Sequence, residues 1–201
     1  METKPSDERL AGVAALAAGI AWVTWAVLNA RSHGGLDVGV PAVTERLARA
    51  GQLLMAAWNV LLIPAALVLP LQHRADGRTE GARLATVCGI ASLLFWAFGG
   101  ATHRITPALE VTYLALSGAW WCGIGAAMRP STRWFGALTF VLGLFALWDA
   151  ALTALEPVPF SLYLTASPKL PLSILRDFAL AYILLRPTRR LASPQSAASA
   201  F

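Results

Sequence analysis

Long apolar runs, most of their residues uncharged, alternate with short polar connections along most of the chain. Six such runs can be delimited, at residues 10–30, 50–71, 84–102, 106–128, 134–155 and 171–185. A helix needs about 20 apolar residues to cross a bilayer, and the first five runs are close to that length. The sixth is shorter and carries Arg176 and Asp177. The pattern predicts an all-α polytopic membrane bundle of six transmembrane helices.

The predicted bundle occupies residues 10–186, with short tails at 1–9 and 187–201. The first apolar run is too long for the core of a cleavable signal, so we interpret it as a retained helix. Residues 156–170 differ from the other connections because they are apolar yet contain three prolines, which disfavour a regular helix. No separate soluble domain fits between the spans.

Composition supports this class and excludes others. Of 201 residues, 57% are hydrophobic and 13% are charged, whereas about a quarter of the residues of a soluble domain are charged. This excludes an ordinary cytosolic enzyme, a coiled coil and a disordered regulator. The net charge is +5, but the basic residues lie mostly at the ends of apolar runs. No basic stripe with interleaved aromatic residues occurs, so no nucleic-acid partner is predicted.

The distribution of Lys and Arg predicts the orientation. Two lie in the N-terminal tail, three in residues 72–83, two in 129–133 and three in 186–190, whereas the other side carries five. Cytoplasmic segments are enriched in Lys and Arg, so both termini are predicted to be cytoplasmic. Lys is scarce beside Arg, which is typical of high-GC bacterial genomes. We therefore expect a multi-pass protein of the bacterial inner membrane.

The ionisable residues inside the predicted spans gather in the outer half of the membrane. Glu110 lies near the outer start of the fourth span, Asp149 near the outer end of the fifth, and Arg176 and Asp177 near the outer start of the sixth. Charges within a membrane are costly unless they are paired, so they usually face the bundle interior or water. We expect Arg176 to lie within side-chain reach of Asp149 or Glu156.

Aromatic and hydroxyl residues repeat at helical spacing below these charges. Tyr113, Ser117 and Trp121 follow Glu110 in steps of three or four and therefore share one helix face. The pattern predicts an outer-half pocket that is lined by Trp and charged at its mouth. The predicted ligand-binding residues are Asn59, Trp58, Trp96, Tyr113, Trp121, Arg176, Asp177 and Glu156.

Glu110 and Asp149 are the predicted catalytic residues, because a carboxyl group in such a pocket can act as a general acid or base. The faces of the Trp rings can stabilise a developing cation. Each carboxylate also has a structural interpretation. Glu110 follows an N-cap residue and a proline, Thr106 and Pro107, where a carboxylate favours the helix dipole. Asp149 can have the purely structural role of neutralising the charge of Arg176.

Motifs for other chemistry are missing from the sequence. It has no phosphate-binding loop, no Gly-x-Ser-x-Gly elbow and no His-Glu-x-x-His motif. Its two cysteines, Cys88 and Cys122, lie separately inside apolar runs and indicate helix packing. Neither a metal site nor a cofactor is predicted.

Five segments carry a resemblance to other proteins. They are Trp-Asn-x-Leu-Leu-Ile-Pro at 58–64, Thr-Pro-Ala-Leu-Glu-Val-x-Tyr at 106–113, Ser-Gly-x-Trp-Trp at 117–121, Leu-Glu-Pro at 155–157 and Ser-Pro-Lys-Leu-Pro at 167–171. On these segments the chain resembles a group of small bacterial six-helix integral membrane proteins of unknown function. A looser, architectural similarity is to membrane sterol isomerases and integral-membrane terpene cyclases, which are bundles with carboxylates and Trp around a lipid pocket.

Three functional hypotheses fit the sequence. The first is binding, with or without conversion, of an amphipathic or isoprenoid-like lipid, so the predicted partner is a membrane lipid or hydrophobic small molecule. The second is a small transporter that uses the same charges as a relay. Transport is disfavoured because polar residues do not continue through the inner half of the spans. The third is a structural or regulatory membrane subunit without catalysis.

The orientation can be tested with topology reporters. A reporter fused after Arg190, or inserted in residues 72–83, is expected to report the cytoplasm, because both positions lie on the side that is richer in Lys and Arg. A reporter in residues 31–49 serves as the control for the opposite side. A periplasmic signal at either of the first two positions would contradict the orientation.

Overall fold

The structure, a computed structural model, describes residues 5–33, 41–72, 79–102, 106–128, 132–155 and 169–186. Within these ranges the chain forms six helices and no strand. The helices are α1 (Pro5–His33), α2 (Pro41–Gln72), α3 (Thr79–Thr102), α4 (Pro107–Met128), α5 (Arg133–Leu155) and α6 (Lys169–Leu185). The predicted all-α class is therefore confirmed.

Local sequence signals account for the helix starts. Proline is the first residue of α1, α2 and α4, where its fixed φ suits the helix and its missing N–H costs nothing. At α4 the hydroxyl of Thr106 accepts a hydrogen bond from the backbone N–H of Leu109 at 3.2 Å. Thr106 is therefore the N-cap that the sequence predicts.

Helix α2 is longer than its apolar run, because it begins at Pro41 rather than near residue 50. Its first turns are polar, and Glu45 and Arg49 form an exposed pair at 3.8 Å, one helical turn apart. Farther along, the helix continues through Pro64. A proline inside a helix removes one backbone hydrogen bond, which transmembrane helices tolerate when neighbouring groups satisfy the freed carbonyl.

The six helices form a closed ring. Each helix packs against its neighbours in the chain, and α6 completes the ring by packing between α5 and α1. The α5–α6 contact is the thinnest of the six. Adjacent helices run in opposite directions, as α4 and α5 show: Gly118 approaches Gly143, and Gly125, farther along α4, approaches Gly136, earlier along α5.

Four helices contain stretches that are long and apolar enough to cross a membrane: Pro5–Leu28, Glu45–Leu69, Pro107–Met128 and Arg133–Leu155. Helix α3 contributes a shorter apolar stretch, Arg83–Gly99. The outer surface of the bundle is rich in large apolar side chains, such as Leu84, Phe98 and Trp148, which are exposed. A surface of this kind is typical of helices that face lipid. By length and composition, the helices support an α-helical membrane protein.

Glycine allows the backbones of α4 and α5 to pack in close contact with each other. A Cβ atom added to Gly125 would lie 2.5 Å from the backbone nitrogen of Phe140 and 2.7 Å from the carbonyl oxygen of Gly136. A Cβ atom on Gly143 would meet the backbone nitrogen of Cys122 at 2.6 Å. Close approach through small residues is a common way for helices to associate where water is absent.

Gly125→Ala is expected to destabilise the protein by about 1–3 kcal/mol, because the new methyl group meets rigid backbone atoms. Gly81→Ala is the matched control, because no atom lies within 4 Å of the added methyl group. The control should leave stability unchanged or raise it slightly, since alanine loses less entropy than glycine in a helix. Thermal unfolding in detergent measures both. Equal melting temperatures for the two variants would exclude backbone-distance packing at Gly125.

Candidate functional site

A cavity lies inside the ring, between α1, α2, α4, α5 and α6. Its volume is about 70 Å³, measured for the centre of a water-sized sphere. One water needs about 10–15 Å³ on this measure, so the cavity has room for several waters or for a small chemical group. Its walls are formed by Trp22, Trp58, Tyr113, Leu114, Ser117, Trp121, Leu142, Ala146, Asp149, Ser173 and Arg176.

The cavity is bounded on one side by the thinnest seam of the ring. Leu142, Ala146 and Asp149 belong to α5, and Ser173 and Arg176 belong to α6. These two helices make the sparsest contact between neighbours in the ring. The cavity therefore borders the sparsest contact of the ring.

An ion pair between neighbouring residues of α6 forms part of the cavity wall. Nε and Nη2 of Arg176 donate hydrogen bonds to Oδ1 of Asp177 at 2.9 and 2.6 Å. The two side chains are 3% and 0% exposed. Adjacent residues on a helix do not face each other, so the long Arg176 side chain must bend back to reach Asp177. The pairing neutralises both charges within the bundle.

Two tryptophans connect this ion pair to other helices. Trp58, on α2, donates from Nε1 to Oδ2 of Asp177 at 2.7 Å. The guanidinium carbon of Arg176 lies 3.6 Å from the centre of the Trp121 ring, on α4. Both contacts are charge-assisted, one as a hydrogen bond and the other as a cation–π interaction. They link α6 to α2 and α4 across the interior of the ring.

Stacked aromatic rings support these two tryptophans. Trp22 lies between Trp25 and Trp58, with ring centres 4.6 and 4.7 Å apart. The ring centres of Trp121 and Trp120 are 3.9 Å apart. Nε1 of Trp121 donates a hydrogen bond to the hydroxyl oxygen of Ser117 at 3.2 Å. The rings therefore have little freedom to rotate. The aromatic part of the wall is preorganised, which means that the rings are in place without a ligand.

Two carboxyl groups lie on the other side of the cavity. Asp149 is part of the wall and is 6% exposed. Glu110, on the first turn of α4, is 7% exposed and is close enough to Asp149 for the two carboxyl groups to interact electrostatically. Oε1 of Glu110 has no hydrogen-bond partner among the described residues. Buried carboxyl oxygens are normally hydrogen-bonded. A favourable interaction with the helix dipole therefore does not by itself account for the buried position of Glu110.

The cavity wall changes from polar to apolar along α5. From Asp149 it passes Ala146 and reaches Leu142 two helical turns away, a distance of about 10 Å. On α6 the polar residues Ser173 and Arg176 lie in the first two turns. Because α5 and α6 are antiparallel neighbours, these groups lie at the same end of the cavity as Asp149. The arrangement matches an amphipathic molecule.

The structure brings together many of the predicted site residues. Asp149, Trp58, Tyr113, Trp121 and Arg176 line the cavity. Asp177 and Glu110 lie directly beside wall residues. Trp96 stacks on Tyr113 with ring centres 4.4 Å apart, so it supports the wall from behind.

One predicted residue is placed differently. Asn59 is fully buried and donates from Nδ2 to the carbonyl oxygen of Met55, in its own helix, at 2.7 Å. It is not a wall residue of this cavity. Glu156 lies outside the described residues. The predicted reach of Arg176 to Asp149 stays a prediction. The two share the cavity, and the ion pair described for Arg176 is with Asp177.

Sequence reasoning did not include several wall residues in the predicted site. Leu142, Ala146 and Asp149 follow one another at steps of four and three, so they share a helix face. That spacing would have identified the two apolar residues once Asp149 was selected. Trp22 lies three residues from Trp25, and Ser117 lies four residues from Trp121, so each pair also shares a helix face. Ser173 has no such signal, because its position depends on how α6 packs.

Among the described residues, no three His, Cys, Asp or Glu side chains are grouped so that they could hold a metal ion. No family model matches the chain, and no curated protein or solved structure matches it. The function must therefore be inferred from the geometry of the cavity itself.

Trp58→Phe is expected to destabilise the protein by about 1–3 kcal/mol. The phenyl ring can still stack on Trp22, but the buried carboxylate of Asp177 loses its donor. Trp148→Phe is the matched control, because Trp148 is 63% exposed on the outer surface and should change stability by less than about 0.5 kcal/mol. Thermal unfolding in detergent separates the two. Similar shifts would mean that the Trp58–Asp177 bond contributes little.

Proposed function

We propose that this protein is a six-span membrane protein that binds an amphipathic or isoprenoid-like lipid, with the polar end of the lipid in the cavity between α1, α2, α4, α5 and α6. The observation that carries the proposal is the cavity wall, which combines preorganised aromatic rings, an apolar end and a charged end. A wholly structural bundle has no need of such a space, because cavities cost packing energy.

The six-span topology is supported by the ring. Helices α3 and α6 each pack between two helices with stretches long and apolar enough to cross a membrane. Helix α3 also runs antiparallel to α4: Gly89 approaches Trp120, whereas Ala85 approaches Gly123 farther along α4. Cytoplasmic termini in a bacterial inner membrane complete the proposal, on the basis of the Lys and Arg distribution.

Entry from the bilayer is part of the proposal. The α5–α6 seam is sparse, and the polar group Ser173 lies beside it on the first turns of α6. The exposed Trp148 precedes Asp149 on α5 and suits the interfacial layer of a membrane, where aromatic residues are enriched. At this depth the polar end of a lipid can reach Asp149 while its chain stays in the hydrocarbon layer.

Conversion of the bound lipid is the stronger form of the proposal. Asp149 is in the wall and Glu110 is beside it, so one carboxyl group is positioned to exchange a proton with an occupant and the second to modulate it. The looser, architectural resemblance to membrane sterol isomerases and terpene cyclases is consistent with this. A structural or regulatory subunit is the alternative outcome of the experiment below.

The test is to purify the protein in mild detergent and identify co-purifying lipids by mass spectrometry. One lipid class should be enriched over the bulk membrane. Asp149→Asn and Glu110→Gln should lower its content by about tenfold with nearly unchanged melting temperatures, because the amide keeps the shape but cannot ionise. Glu45→Gln removes an exposed carboxylate and should retain the lipid.

Two other results would contradict the proposal. If no lipid class is enriched in the native protein, the cavity does not hold a lipid. If the Asp149 and Glu110 variants lose stability while the bound lipid is unchanged, the carboxyl groups are structural. The second result would favour a structural subunit in which these residues hold the helices together.

A further inference from the structure

One tryptophan in the cavity wall has a buried N–H group without an acceptor. Trp22 lines the cavity and is 2% exposed, and its Nε1 has no hydrogen-bond partner among the described residues. Trp25 and Trp58 stack on the ring of Trp22, but stacking partners supply no acceptor to an N–H group that lies in the ring plane. Buried N–H groups are normally hydrogen-bonded, so this donor is an exception that needs an explanation.

Arg176 is a second wall residue with donors in excess of its partners. Its guanidinium group carries N–H donors on all of its nitrogens. Nε and Nη2 donate to Asp177, and the face of the group lies over Trp121. Nη1 makes no hydrogen bond to a described residue. The side chain is 3% exposed, so these donors also lie inside the bundle.

Trp58 connects the two sets of donors. Its ring stacks on Trp22 with ring centres 4.7 Å apart, and its Nε1 donates to Asp177, the partner of Arg176. Trp22 and Arg176 both line the same cavity of about 70 Å³. We therefore expect one polar group of an occupant to contact both residues.

The charge balance of the ion pair selects the kind of group that can accept from these donors. The positive charge of Arg176 is balanced by Asp177, which accepts hydrogen bonds from it and a further one from Trp58. An anionic occupant would place a second negative charge beside this single base, which is costly inside an apolar bundle. A carbonyl oxygen accepts hydrogen bonds from N–H groups and brings no charge. The donors therefore favour a neutral carbonyl group.

We propose that the lipid bound in this cavity carries a neutral carbonyl group at its polar end, and that Trp22 and Arg176 donate hydrogen bonds to the carbonyl oxygen. The inference rests on the proposed function, since it requires that the cavity bind the polar end of a lipid. It adds the chemical class of that end. Ketones and esters of fatty acids share this group, and the experiment distinguishes them.

The experiment compares four probes of similar chain length: 2-undecanone, methyl decanoate, decanoate and undecane. Each is carried in micelles of one neutral detergent, and binding is measured by isothermal titration calorimetry with protein-free micelles as the blank. The native protein should bind the ketone or the ester about tenfold more tightly than undecane, because binding supplies acceptors to buried donors. Decanoate should bind about tenfold more weakly than that carbonyl probe. The tighter of the two carbonyl probes identifies the class of lipid.

Trp22→Phe keeps a ring that can stack between Trp25 and Trp58 but removes the N–H group. It should reduce the preference for the carbonyl probe over undecane to about threefold or less. Trp120→Phe is the matched control. Trp120 also has a buried Nε1 without a hydrogen-bond partner among the described residues, but it is not a wall residue of this cavity. The control should leave the preference intact, and both variants should have similar melting temperatures without a probe.

A carbonyl preference that survives Trp22→Phe, or that Trp120→Phe reduces equally, would overturn the inference. Equally tight binding of undecane, or tighter binding of decanoate, to the native protein would also overturn it. In each of these cases saturable binding of a probe would leave the proposed function standing. If none of the four probes binds saturably, the proposed function fails and the inference fails with it.

Discussion

The ion pair between Arg176 and Asp177 is the interaction on which the rest of the interior depends. A single charge inside an apolar bundle is costly, and a pair is tolerated only when its remaining donors and acceptors are satisfied. Here α2 supplies the N–H group of Trp58, and α4 supplies the ring face of Trp121. Helix α6 is consequently held from two directions across the centre of the ring. Its contact with α5 can remain sparse without loss of the helix, and the cavity lies beside that seam.

The remainder of the bundle is held together by close packing. Between apolar helices in lipid there is little hydrophobic driving force, so association depends on van der Waals contact and on small residues that bring backbones together. The α4–α5 interface follows this rule through Gly118, Gly125 and Gly143, which leave no room for a Cβ atom. The outer surface is rich in large apolar side chains, and four charged side chains are buried in the interior, the reverse of a soluble domain. A rigid α4–α5 pair then presents Tyr113 and Asp149 to the cavity from fixed positions.

Charged groups are buried inside the bundle, and they give the two sides of the cavity different chemical characters. On one side the charges cancel in the Arg176–Asp177 pair, and the tryptophans are fixed by stacking and hydrogen bonds. On the other side two carboxyl groups lie close together, and one oxygen of Glu110 has no hydrogen-bond partner among the described residues. Polar groups that a protein leaves incompletely satisfied mark places where binding energy is available. The asymmetry gives the cavity a direction, from the acidic end to the apolar end near Leu142.

The sequence by itself determined the class of the protein, the helices and the faces that they bury. Apolar runs of about 20 residues dictate helices in lipid, and steps of three and four place Glu110, Tyr113 and Trp121 on one face; all three are buried. It did not determine which faces meet. Trp58 donates to Asp177, and Trp121 contacts the guanidinium group of Arg176, because the closing of the ring by α6 decides which side chains share the interior. Helical periodicity is local, whereas a cavity is the space left between helices whose approach depends on residues far apart in the chain.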